Sequence, residues 1–172
     1  MPISWNEIRH NAISFAREWA GVKSEIGQEW KFWNDFFATF GIRRRVLTVF
    51  QIWAGELVGT HDRIGLFWPG TMMVEQKGRG EDLDCAESEA QLCIANLVSA
   101  GRHGDVPRYV IASDLARISL LDLTPEDPIK KAVQGGYRIE FPLGSLHRHI
   151  HDFAFILGNK QHQNAGHGWK NN

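Results

Sequence analysis

The sequence predicts one α+β (α/β) domain: a central mixed β-sheet flanked by helices and preceded by an N-terminal helical segment. Three observations lead there: apolar residues at helical spacing up to Phe40, short β-rich runs bounded by Pro, Gly or Asp from Arg63 onward, and one further helical run between two groups of strands. Composition agrees, since 172 residues at 43% hydrophobic and 23% charged suffice for one packed core.

Ser4 as N-cap and Glu7 three residues on form a capping box, and Ile8, Ala12, Phe15 and Trp19 then share a helix face that Gly21 terminates. A second helical run carries Trp30, Trp33, Phe37 and Phe40 up to Gly41, a spacing that assigns these rings to a core rather than to a base-stacking platform. Arg43 to Arg45 leads into Val46, Leu47, Thr48, Val49 and Phe50, whose apolar alternation predicts a strand. Gly55 to Asp62 reads as a connection. Pro69-Gly70 is a turn signal that joins Arg63–Trp68 and Thr71–Lys77 into an antiparallel hairpin. After the polar loop Gly78–Asp82, the run Leu83–Leu97 has Ala86, Ala90, Cys93, Ile94 and Leu97 at helical spacing. Arg108–Ser113 and Arg117–Leu123 predict strands, Thr124–Gly136 a loop, Arg138–Phe141 a last strand and Leu143–Ile150 a helix. The domain is thus expected over residues 1–157, with a disordered polar tail over 158–172.

Composition narrows the function classes, and it requires any DNA role to be local or borrowed from other regions. Nineteen Lys+Arg against twenty Asp+Glu leave a net charge of -1, so the whole chain lacks the positive field that draws a protein onto nucleic acid. No apolar run approaches the roughly 18 residues of a membrane span. The N-terminus has no secretory pattern, so a cytoplasmic location is expected. Cys85 and Cys93 are eight apart on the predicted helix, about two turns, which is too far for a disulfide.

On a strand over 71–77, Met72 and Val74 share one face while Met73, Glu75 and Lys77 share the other, so a carboxylate and an ammonium emerge side by side from an apolar strand. A surface salt bridge is the plain explanation. The chemical one is phosphodiester hydrolysis, which needs a divalent metal on hard oxygen ligands and a nearby cation. Glu75 and the Gln76 backbone carbonyl suit the metal, and Lys77 suits the cation. Gly78-Arg79-Gly80 is open to two readings, a simple turn or a loop bringing Arg79 to a DNA phosphate. His147, His149 and His151 spread around a helix, and only His147 and His151 share a face, so no metal site is expected there.

Ile64-Gly65-Leu66-Phe67-Trp68-Pro69-Gly70, followed by Val74-Glu75-Gln76-Lys77-Gly78-Arg79-Gly80-Glu81-Asp82-Leu83, resembles the N-terminal nuclease domain of MmeI-like (type IIL) restriction-modification enzymes, a branch of the PD-(D/E)XK nucleases. Further matching blocks run in order: Ser4-Trp5-Asn6-Glu7-Ile8, Phe32-Trp33-Asn34-Asp35-Phe36-Phe37, Phe40-Gly41-Ile42-Arg43-Arg44, Pro107-Arg108-Tyr109-Val110, Ser113-Asp114-Leu115-Ala116-Arg117, Glu140-Phe141-Pro142-Leu143 and Leu146-His147-Arg148-His149-Ile150. The resemblance lapses after about Gln163.

This resemblance implies a restriction-endonuclease-like core and Mg²⁺-dependent cleavage of double-stranded DNA. Family members continue into an adenine methyltransferase using S-adenosylmethionine and a target-recognition region, which this chain is expected to lack and which would supply most of the DNA affinity. The family's Glu-x-Lys falls on Glu75 and Lys77, with Gln76 where the family has His. Its metal-binding Asp, ten residues before the Glu, falls on Gly65, which has no ligand atom and is expected opposite Glu75 on the neighbouring strand. The family's Gln-x-x-x-Tyr pair falls on Glu89 and Cys93. Asp62 is a substitute ligand only if a bulge corrects its odd offset from position 65; Glu89 and Asp35 are further candidates. The expectation is a DNA endonuclease domain with impaired Mg²⁺ binding and weak or no activity. The alternative is a non-catalytic nuclease-like module acting in assembly or weak DNA binding.

Overall fold

A computed structural model describes residues 2–23, 27–49, 64–125, 129 and 136–161. The first helix, α1 (Trp5–Trp19), begins at the expected capping box: the Glu7 amide donates to Ser4 Oγ at 3.2 Å, and the Ser4 amide donates to Glu7 Oε2 at 2.8 Å. These bonds to Ser4 hold the Glu7 carboxyl below its usual range. Ile8, Ala12, Phe15 and Trp19 form its buried face. The second helix, α2 (Gln28–Thr39), buries Phe32, Trp33, Phe36 and Phe37, so its aromatic stripe is core.

Residues 44–49 are helical (α3), which corrects the strand expected from Val46 to Phe50. The Val46 amide donates to the Arg43 carbonyl at 2.9 Å and Thr48 Oγ1 to the Arg44 carbonyl at 3.1 Å. Leu47 is fully buried while Val49 is exposed, so local helical bonds and one inward anchor override the β propensity of this run. Phe50 and the connection over 55–62 lie outside the described residues.

Five strands form one mixed sheet in sequence order: β1 (Ile64–Trp68), β2 (Met72–Gln76), β3 (Tyr109–Ser113), β4 (Arg117–Asp122) and β5 (Tyr137–Pro142). The β1–β2 hairpin is antiparallel, as Pro69-Gly70 predicts, and so are β3–β4 and β4–β5. β2 and β3 are parallel, and helix α4 (Asp84–Ser99) lies between them in the chain. α4 also carries both cysteines, which are free: Cys85 is exposed and Cys93 buried. The chain then forms a helical segment, Leu143–Ser145, Leu146–His149 and Ile150–Gln161, bent at Phe153 (φ -98°, ψ 15°). It continues past Gly158, where a frayed tail was expected to start; residues 162–172 lie outside the described part.

The result is three layers. On one face, Leu66, Trp68, Met72, Val74, Ile111, Ile118, Leu120 and Phe141 pack against α1, α2 and the C-terminal helical segment. On the other, Phe67, Met73, Val110 and Leu121 meet Ala90, Cys93 and Leu97 of α4, beside a smaller cluster of Leu83, Ala86 and Ala112. Among the described residues no helix is long and apolar enough to cross a membrane.

Candidate functional site

Strand alternation decides which groups meet. Met72 and Val74 enter the layer of α1 and α2, so Met73, Glu75 and Lys77 face α4, as the sequence predicts. Glu75 is 0% exposed. Lys77 Nζ lies 2.8 Å from Glu89 Oε2, with side-chain exposures of 1% and 28%. One turn further along α4, burial pushes the Cys93 thiol above its usual range, and the negative charges of Glu75 and Glu89 push it further. The structure therefore brings Glu75 and Lys77 of the sheet together with Glu89 and Cys93 of the middle of α4.

On the neighbouring strand, Ile64 pairs with Glu75 and Leu66 with Val74. Two steps along β1 thus match one along β2, and Gly65 is the extra residue of a β-bulge. This corrects the expectation that Gly65 itself stands opposite Glu75. A Cβ added at Gly65 would meet only the Val74 carbonyl oxygen, at 3.9 Å, an ordinary contact, so the backbone there accepts a Cβ without a clash. Asp62 lies outside the described residues.

Gln76 points to the opposite face. Trp33 Nε1 of α2 donates to its Oε1 at 2.8 Å, and its Nε2 donates to the Lys77 carbonyl at 3.0 Å. Asp35 also belongs to that layer, accepting from Trp19 Nε1 at 3.1 Å and Lys31 Nζ at 2.6 Å. It is not brought to Glu75. Among the described residues no three His, Cys, Asp or Glu side chains are placed to hold a metal ion. Glu75 and the Gln76 backbone carbonyl are the described residues that would hold a hard divalent cation here, and glycine at position 65 adds no side-chain ligand to them.

The loop after Lys77 is built by groups that sequence reasoning quoted but gave no role. Asp114, 1% exposed, accepts from the amides of Gly80 (3.1 Å), Ala116 (3.0 Å) and Arg117 (2.7 Å), and from Arg117 Nη2 at 3.0 Å. Burial alone would raise its pKa, but these donors hold the carboxyl below the usual range. Arg117 Nη2 also donates to the Glu81 carbonyl at 2.7 Å, and the Lys77 amide to the Ser113 carbonyl at 2.8 Å. The β3–β4 turn thus clamps the end of β2. Its backbone is strained at buried Leu115 (φ 70°), whose amide donates to Ser113 Oγ at 3.0 Å. The available signal was Ser-Asp-x-x-Arg between two strands, an Asp that folds back on its own turn.

Within this loop the Glu81 amide donates to the Gly78 carbonyl at 3.0 Å, closing a turn. The Gly78 amide is taken by Glu81 Oε2 and the Gly80 amide by Asp114, while Arg79 donates to the Val22 carbonyl. These amides are therefore committed within the protein. Three histidines near the C-terminal end make local contacts: His147 Nδ1 lies 3.1 Å from the Gly144 carbonyl, His149 stacks on Phe141 with ring centroids 4.1 Å apart, and His151 meets Trp5 with centroids 4.1 Å apart.

No curated protein and no solved structure matches the chain. A family model described as the MmeI N-terminal domain matches residues 10–166, which includes the five described strands, α2, α4, Glu75, Gln76, Lys77, Glu89, Cys93 and Asp114. The chain belongs to the MmeI N-terminal domain family and is a restriction-enzyme-related domain.

Proposed function

We propose that this domain has the architecture of a Mg²⁺-dependent endonuclease acting on double-stranded DNA, and that this chain is a catalytically silent form of it, serving as a nuclease-shaped module in assembly or weak DNA binding. One observation carries the reading: Glu75 and Lys77 are held together on the α4 face, and the adjacent strand offers a glycine bulge where a second carboxylate is needed. Phosphodiester hydrolysis at a metal depends strictly on ligand number and geometry. With one side-chain ligand among the described residues, no hydrolytic step is assigned to this chain. The net charge of -1 agrees with DNA affinity supplied by other regions. Arg79 is retained as a phosphate contact only if DNA displaces its bond to Val22.

The test is supercoiled plasmid incubated with the purified chain in Mg²⁺ or Mn²⁺. No nicking above buffer is expected. Robust nicking that Glu75→Ala abolishes would overturn the silent reading. The β1 bulge favours a rival, because a bulge is the condition under which Asp62 becomes a second ligand; nicking abolished by Asp62→Ala as well would establish that rival.

A further inference from the structure

We infer that Glu89 is an internal lock on Lys77, withholding its ammonium from any phosphate ligand whatever residue occupies position 65. The pair spans two packed elements. Lys77 is fixed at the end of β2 by its amide bond to the Ser113 carbonyl, and Glu89 is carried by α4 next to buried Ala90. Nζ and Oε2 are 2.8 Å apart. Lys77 is 1% exposed and Glu89 28%, so the carboxylate is the outer member of the pair. A phosphate brought to Lys77 Nζ would come within reach of the Glu89 carboxylate, with buried Glu75 two residues back on the same strand. Like charges at such range in a desolvated site repel strongly. The lock is therefore electrostatic as well as steric.

The lock itself rests only on this geometry; its consequence for catalysis rests on the nuclease reading above, and two measurements separate them. The first is acetylation of the full folded chain with an N-hydroxysuccinimide ester, followed by peptide mass spectrometry, with Lys31 as reference because its side chain is 66% exposed. Lys77 is expected to react at least tenfold more slowly than Lys31. Glu89→Ala should raise the Lys77 rate at least tenfold with the circular dichroism spectrum unchanged. If that variant does not fold, Glu89→Gln keeps the side-chain volume and should raise the rate severalfold. Equal rates for Lys77 and Lys31 in the parent chain, or no change in the folded variant, would overturn the lock. The second measurement compares plasmid nicking in Mg²⁺ by Gly65→Asp with that by Gly65→Asp combined with Glu89→Gln. At least tenfold faster nicking by the double variant supports the lock. Equal, measurable nicking overturns it while leaving the nuclease reading intact. Two inert variants count against the nuclease reading, and acetylation then decides the lock alone.

Discussion

Ile64, and not Gly65, is the residue that stands across the β1–β2 ladder from Glu75. The bulge leaves Gly65 out of the pairing, and a Cβ there would make only an ordinary contact, 3.9 Å from the Val74 carbonyl oxygen. Gly65→Asp is therefore expected to fold with a stability change of about 1 kcal/mol or less. If position 65 is the second ligand position, the variant should also gain a Mn²⁺ binding heat in titration calorimetry that the parent chain lacks. A silent titration with a folded variant would show that the bulge turns position 65 away from the metal.

Cys93 reports on the charges around Lys77. Its thiol is held above the usual range first by burial and then by Glu75 and Glu89. Removing either negative charge should make the thiolate easier to form. At pH 8, iodoacetamide should modify Cys93 severalfold faster in Glu75→Gln or Glu89→Gln than in the parent chain, with exposed Cys85 as the unchanged reference. An unchanged ratio of the two rates would remove either carboxylate from the vicinity of the thiol.

Asp114 makes the clamp acid-sensitive. Its folded-state pKa is depressed, so as pH falls through the usual aspartate range the unfolded chain takes up a proton before the folded one does. The stabilisation is therefore present at neutral pH and is lost on acidification through the depressed value. Asp114→Ala should cost about 1–3 kcal/mol in urea unfolding at pH 7, and should flatten the decline of stability on acidification.

Trp33 ties α2 to the strand that carries the site. Trp33→Phe keeps most of the buried ring but removes the donor to Gln76 Oε1. A loss of about 1–2 kcal/mol is expected. If Gln76 serves to hold the end of β2, amide exchange at Lys77 should accelerate in the same variant beyond what global stability explains.

Where the sequence carried local signals, the fold was legible. Pro69-Gly70 announced the hairpin, Ser4 and Glu7 the first helix, and the alternation of Met72, Met73, Val74 and Glu75 the two faces of β2. Residues 44–49 misled because β-branched content describes fitness for a pleated surface, whereas here backbone bonds and the burial of Leu47 decide. The bulge at Gly65 was not legible either, since register depends on which carbonyl and amide meet across two strands. Glu89 was visible only as an acid on a helix. That it closes on Lys77 depends on how α4 seats over β2, and Asp114 gains its role only when residues 34 positions away in the chain, at Gly80, come into reach.

The N-terminal helices share their apolar layer with the last described residues of the chain: Phe36 meets Phe153 with ring centroids 5.5 Å apart, and Trp5 lies against His151. On a ribosome this layer cannot close until the segment around Phe153 has emerged, so α1 and α2 must wait with their aromatic faces uncovered while the sheet is still being synthesised. Closure across such sequence separation is slow and leaves apolar surface open in the interval. Co-translational chaperone capture should therefore concentrate on nascent chains between the completion of α2 and the release of residue 157.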